Sequence, residues 1–443
     1  MKDLTKKDVL EEAEKNNVKF IRLQVTDIFG VFKNIAITVE ELDKALQGRI
    51  RFDSSIIDGK VSNKEREICL IPDLSSFVIF PWRPREGAVA RLICDVVNPD
   101  GSPYECCSRS VLKRVVAEIE SEGYRPMVGA ESEFYLFHVD EKDKPTTAAH
   151  DFAGFCDVSP IDLGENARRD MVLTLEEMGI EISSSHHEFA PGQNEISLKS
   201  DDALTMSDKL VTFRFVARTI ARRHGLYASF MPKPVNKYNG SALHIYQAFF
   251  REFDNVFYDP EGETLLSETV LYYIGGLIRH AHSFAAITNP IINSYKRLVP
   301  GAISPGYVAW SSESRNAVVR IHSERGDDTM VEMSNPDSAC NPYLAIAVML
   351  KAGLEGVKNK TVPPAAVSDN LYCLTPQERM ERGIYQMPRN LFEAVQLMKQ
   401  DRLVTETVGE ILAQKYIEAK ETEWAGFESH VHQWELDKYL PIY

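Results

Sequence analysis

Past residue 130 the chain alternates extended, acid-bearing segments with amphipathic helical ones, and this alternation constrains the fold more than any other feature. Residues 131–137, 181–189, 227–231 and 241–250 read as extended, whereas 166–178, 203–223 and 267–286 carry apolar residues at helical spacing. Elements of both kinds must cover each other's apolar faces, so the expected class is α+β. Nearer the start, Thr5 is placed to cap a short helix through Val9, Leu10 and Ala13. Residues 18–25 then turn at Asp27-Ile28-Phe29-Gly30 into 31–39, which predicts a strand pair. Turn formers cluster at Asn98-Pro99-Asp100-Gly101-Ser102-Pro103. Beyond them Val111, Leu112, Val115, Val116 and Ile119 recur at helical spacing, with Gly123 where a C-terminal cap belongs. The expected organisation is a small α+β domain over residues 1–103 and a large α+β domain over 104–443.

Composition narrows the function classes. Of the 443 residues, 44% are hydrophobic and 26% charged, the balance of a folded globular chain rather than a disordered or collagen-like one. Sixty-five acids against 50 bases leave a net charge of −15, which argues against a nucleic-acid surface. No uncharged stretch approaches the roughly 18 residues of a membrane span, and the first residues lack the apolar core of a secretory signal. Seven scattered cysteines form no CxxC pair, and adjacent Cys106 and Cys107 do not match a zinc spacing. Reduced thiols in a cytoplasmic protein are expected.

Several short patterns carry possible chemistry. On a strand, Glu131 and Glu133 would point to one face, where two carboxylates either raise each other's pKa or share a cation. In His186-His187-Glu188-Phe189-Ala190-Pro191-Gly192-Gln193-Asn194-Glu195, the Pro-Gly pair signals a reversal that would face Glu188 towards Glu195. Asn239-Gly240-Ser241-Ala242-Leu243-His244 offers close backbone approach at Gly240. Arg297, Arg315, Arg320 and Arg325 supply guanidinium forks suited to carboxylate or phosphate, around Glu332. Each pattern alone is equally a solvated face, a surface hairpin or a set of structural ion pairs.

Taken in order, GAESEFYLF, HHEFAPGQNEI, KPVNKYNGSALH, NSYKRLVPG and NPYLAIAVML resemble the glutamine synthetase family, in its short bacterial form without the adenylylation-linked insertion. The likeness spans essentially the whole chain. It implies a β-grasp-like N-terminal domain and a glutamine-synthetase catalytic domain, assembled as a dodecamer of two hexameric rings with sites shared between neighbours. It further implies one metal site at Glu133, Glu188 and Glu195 and another at Glu131, His244 and Glu332. Five carboxylates and one imidazole suit Mg²⁺ or Mn²⁺. By the same resemblance Arg297 holds the α-carboxylate of glutamate beside Asn239 and Gly240, Arg315 and Arg320 meet the phosphates of ATP, and Asp53, Glu188 and Arg315 are the catalytic residues.

The chain departs from the family pattern at informative places. The flap glutamate falls at Ile303, the tyrosine of the ammonium pocket at Phe155, and the second serine of the FDGSS segment at Ile56, although Asp53 is kept. Desolvating ammonium without polar acceptors is expensive, so these substitutions predict a larger amine. Met330 and Ser334 stand where the family has arginines beside Glu332, and Tyr246 and Ala248 replace residues of its nucleotide pocket. Three functions therefore remain: a glutamate–amine ligase, a glutamine synthetase using ammonia, and a catalytically weak paralogue with a binding or regulatory role.

Overall fold

The computed structural model describes residues 4–59, 66–262, 264–299, 304–368 and 370–443. Its N-terminal part is built from β1 (Val18–Thr26), β2 (Phe32–Thr38), β3 (Ile50–Asp53), β4 (Glu67–Pro72), β5 (Val78–Ile79) and β6 (Ala88–Val97). They form a sheet ordered β2-β1-β6-β4-β3, with β5 on β6. As expected, Thr5 starts the helix Lys6–Lys15 with a reciprocal cap to Asp8. β1 and β2 pair antiparallel, with Leu23 opposite Ile35. Their turn is fixed by the Asp27 carboxylate, which accepts the Phe29 and Val31 amides at 3.0 and 2.8 Å. Gly30 closes the turn at φ +83°, and a Cβ there would lie 2.7 Å from the Asn341 Cα. A glycine is therefore needed for both conformation and clearance.

The second sheet contains β7 (Arg125–Val139), β8 (Pro145–Ala149), β9 (Ile182–His187), β10 (Gln193–Asp202), β11 (Leu226–Ser229), β12 (Leu243–Arg251), β13 (Asp254–Asn255), β14 (Tyr307–Ser311), β15 (Ala317–Ile321), β16 (Val331–Met333) and β17 (Tyr385–Gln386). Its order is β17-β14-β15-β16-β12-β7-β10-β9, with β8 and β11 pairing on β7 and β13 on β12. The predicted helices appear at Ser108–Ser121, Glu165–Glu177, Ala203–Arg223 and Glu268–Thr288. Asp202 and Ser267 cap the last two. A fifth helix, Pro342–Asn359, is buried along nearly its whole length.

One hydrophobic core runs through both parts, from Ile21 and Leu92 to Phe213, Leu277 and Leu350. The joint also holds a buried cation. Arg109 reaches Asp73 at 2.6 Å and Asp95 at 2.7 Å on the N-terminal side, and Asp208 at 2.8 Å on the helix Ala203–Arg223. Three carboxylates offset its desolvation and fix the two parts relative to each other. Among the described residues, no helix is long and apolar enough to cross a membrane.

One expected detail is corrected. Residues 188–195 do reverse, but in the β9–β10 register Glu195 stands opposite His186, not Glu188. Glu188 lies past the end of β9, where its amide donates to the Gln193 carbonyl at 2.8 Å. The Pro-Gly turn takes up more residues than a tight hairpin would, so the carboxylates come together through His186.

Candidate active site

A cavity of about 400 Å³ opens on one face of the second sheet. Its walls follow from register. On β7, Glu131 and Glu133 share a face because side chains alternate. Glu133 is opposite Glu195 on β10, and Glu131 is opposite His244 on β12. On β12, Tyr246 is opposite Glu332 of β16, which in turn is opposite Arg320 of β15. Five adjacent strands thus set a continuous row of ionisable groups.

Within the row, histidines lie between carboxylates. His244 Nδ1 is 2.7 Å from Glu332, and its Nε2 is 3.5 Å from Glu133. His186 Nε2 is 2.9 Å from Glu188 and 3.9 Å from Glu195. Ligand atoms of Glu133, Glu195 and His244 lie within 4.8 Å of one another, as do those of His186, Glu188 and Glu195. Glu332 also meets Arg320 at 3.0 Å and His322 at 2.5 Å. Burial would raise its pKa, but hydrogen bonds from His244 and His322, with the Arg320 charge, hold it well below the usual carboxylate range. Glu195 is pushed the other way, up to about 8, by burial and the adjacent Glu131 and Glu133 charges. Such uncompensated negative charge, on an all-oxygen and imidazole donor set, fits hard divalent cations.

Another part of the cavity wall carries a buried cation. Arg297 is buried and donates to the carbonyls of Ser334, Asn335 and Pro336 at 3.0, 3.0 and 2.8 Å. A Cβ on Gly240 would lie 2.3 Å from the Pro232 carbonyl and 2.7 Å from Arg297 Cγ, so glycine is what admits the arginine to the cavity wall. Gln193 joins both sides, donating to Glu133 at 2.9 Å and to the Gly240 carbonyl at 3.1 Å. Arg315 lines the cavity from an exposed position.

Behind the site, His187 and Asp151 are buried 2.9 Å apart. His187 Nδ1 donates to the Glu188 carbonyl at 2.6 Å, and Asp151 accepts the Gly192 amide at 2.8 Å. Asp162 lies near this pair, but Arg168 already binds it at 2.7 Å. The nearby guanidinium disfavours a further cation there.

Most predicted residues therefore meet: Glu131, Glu133, Glu188, Glu195, His244, Glu332, Asn239, Gly240, Arg297, Arg315, Arg320 and Phe155 all line the cavity. Asp53 and Ile56 do not. Asp53 accepts the Ser55 amide at 2.9 Å at the end of β3, and Ile56 packs on the core of the N-terminal part. Ile303 lies outside the described residues. Ser334 turns its hydroxyl to the carbonyls of Ala317 and Val318, and Met330 meets Ser200. Arg325 binds the carbonyls of His322 and Glu324, and Lys296 lies over the Phe427 ring. Tyr246 faces the cavity and donates to Glu131 at 2.8 Å, whereas Ala248 is in the core. Sequence reasoning missed His322 and Phe189. Period-two alternation from Arg320 places His322 on the same face, a signal that was present.

Residues 17–99 match the family model described as the glutamine synthetase β-grasp domain, and residues 105–439 match the glutamine synthetase catalytic domain. This chain belongs to the glutamine synthetase family. It is 50% identical to a glutamine synthetase of Clostridium saccharobutylicum over 443 residues, covering all of both chains. It is 47% identical to that of Methanosarcina mazei, covering 99% of this chain and 98% of the relative. Among solved structures, a GmaS–ADP complex superposes with a TM-score of 0.88 at 28% identity, covering 98% of this chain and 99% of the other. A Plasmodium falciparum glutamine synthetase shares the fold with a TM-score of 0.87 at 23% identity, covering 99% of each chain. Glutamine-synthetase-family proteins are ATP-dependent carbon–nitrogen ligases that use divalent metals and are typically oligomeric.

Proposed function

We propose that this protein joins the γ-carboxylate of glutamate to a primary amine larger than ammonia. ATP transfers its terminal phosphoryl group to a γ-carboxylate oxygen and leaves as ADP. The amine nitrogen then attacks the acyl carbon, the bond to the phosphate oxygen breaks with its electron pair, phosphate leaves, and the amine gives up a proton. Arg297 holds the α-carboxylate, with Asn239 and Gly240 beside it. Arg315 and Arg320 face the nucleotide phosphates. Glu133, Glu188 and Glu195 are assigned to one Mg²⁺ or Mn²⁺, and Glu131, His244 and Glu332 to a second. The bound cations would offset negative charge on the transferred phosphoryl group.

The observation that carries the choice of amine is Phe155, a half-exposed ring set edge-on to His186 inside the cavity. A ring there cannot accept a hydrogen bond from ammonium as a phenol would, but it favours an apolar substituent by roughly 0.8 kcal/mol per buried CH₂. We further place Ile303 at this amine end, and Asp53 and Ile56 in the site of a neighbouring subunit, within two stacked hexameric rings. The domain boundary is assigned to residues 103 and 104, between β6 and the helix Ser108–Ser121. The competing function is glutamine synthesis from ammonia, favoured by the name shared by relatives at 44–50% identity.

The test is ADP release with ATP, Mg²⁺ or Mn²⁺ and glutamate, against ammonium, methylamine, ethanolamine, putrescine and arylamines. Turnover with larger amines and little with ammonium is the expected result. Turnover with ammonium alone would establish the competing function. Silence from an assembled, metal-loaded protein would point to a weak paralogue lacking charge at Met330 and Ser334.

A further inference from the structure

The wall beside Glu188 is more specific than general apolarity. Phe155 and Phe189 stack with ring centroids 4.4 Å apart and planes 7° from parallel, and both line the cavity. The two residues are 49% and 44% exposed, which sets apolar surface beside a row of carboxylates. Their backbone is held in place. The Phe189 amide donates to the Glu188 carboxylate at 3.2 Å, and the Cys156 amide donates to the His187 carbonyl at 3.0 Å. His186, which meets both Glu188 and Glu195, braces Phe155 edge-on at 5.4 Å. The stack is therefore tied to the same short turn that presents the carboxylates.

From this arrangement we infer that the amine substrate carries an aryl ring on a short alkyl arm, seated against the Phe155–Phe189 stack with its nitrogen toward Glu188. The inference rests on the proposed use of an amine larger than ammonia. A near-parallel pair extends naturally to a third ring, which gains offset-stacking attraction beyond the area it buries. A saturated ring of the same size gains only the area. Phe189 is thus a specificity residue, and its effect is separable from that of the carboxylates it adjoins.

The test compares benzylamine, cyclohexylmethylamine and methylamine in ADP release by the wild-type protein and the Phe189→Leu and Phe155→Leu variants. The wild type should prefer benzylamine to cyclohexylmethylamine by about tenfold in kcat/KM, chiefly through KM. Each leucine variant should bring that ratio close to one. Turnover of alkylamines with no preference for benzylamine would overturn the inference while leaving the larger-amine function standing. Turnover of ammonium alone would remove both. In a protein silent with every amine, calorimetric titration of benzylamine into the Mg²⁺–ADP form decides, and no binding heat overturns the inference. Light scattering on the variants supplies the last control: a changed assembly size with an unchanged ratio would identify the rings as a subunit contact and overturn it.

Discussion

His187 and Asp151 are buried 2.9 Å apart, and between them they hold both ends of the turn that presents Glu188 and Glu195. His187 fixes the Glu188 carbonyl and Asp151 fixes the Gly192 amide, so neither needs to touch a ligand to set the spacing of the carboxylates. Asp151→Ala should destabilise the protein by about 3 kcal/mol, because it strands a buried histidine without its partner. It should also weaken Mn²⁺ binding about tenfold, as loss of outer-shell support commonly does. Thermal unfolding and Mn²⁺ titration measure the two effects, and no change in either would show that the pair is idle.

The same pair predicts a pH window. Burial would depress His187, but the hydrogen bond and charge of Asp151 outweigh it and raise its pKa above 6.5. Burial would raise Asp151, but bonds from His187 and the Gly192 amide bring it below 3.8. A raised histidine stabilises the fold at acid pH and loses that contribution as pH rises through its folded value. A lowered carboxylate stabilises above its unfolded value and loses it as pH falls through the folded one. The Tm difference between wild type and Asp151→Asn should therefore be greatest from about pH 4 to 6.5 and shrink at both ends. A flat difference would contradict the pairing.

Glu195 predicts the opposite slope. With a folded pKa of about 8 against an ordinary 4.5, its proton is bound more tightly in the folded chain than in the unfolded one. Stability without divalent cations should then decline as pH rises between those values. Saturating Mg²⁺ or Mn²⁺ should flatten the decline, and binding near pH 7 should release close to one proton per site. Calorimetry in buffers of different ionisation enthalpy reads that proton directly.

Gly240→Ala tests the proposed binding of the acid substrate at Arg297. The added methyl would meet the Pro232 carbonyl and Arg297 Cγ at 2.3 and 2.7 Å, and only the arginine can move. Overpacking of this kind costs about 1–3 kcal/mol. The KM for glutamate should rise about tenfold, the response to roughly 1.4 kcal/mol of lost binding. An unaltered KM would mean that Arg297 does not hold that substrate.

Local elements were legible in the sequence wherever one pattern ran long. Ala203–Arg223 emerged with the predicted bounds because its periodicity spans many turns and Asp202 supplies a clear cap. Glu131 and Glu133 were legible as one face because alternation is a property of any strand. The partners of that face were not, since the pairing of β7 with β12 and of β12 with β16 joins residues near 130, 245 and 332. No local signal encodes such long-range register, and only the family resemblance brought these residues together. The role of His186 between Glu188 and Glu195 was hidden for the same reason. The two-residue error in the turn came from treating Pro191-Gly192 as a tight reversal.

The row of ionisable groups across five strands has an evolutionary consequence. Because facing repeats every second residue, sliding β10 by one position would replace Glu195 with Asn194 or Ile196 and expose its core side chains. An insertion or deletion in these strands would thus cost the chain twice, by displacing the ionisable row and by loss of packing. On the proposed reading, new substrate preferences would arise by substitution at the rim, at positions such as 155 and 189, which leaves the row of carboxylates untouched.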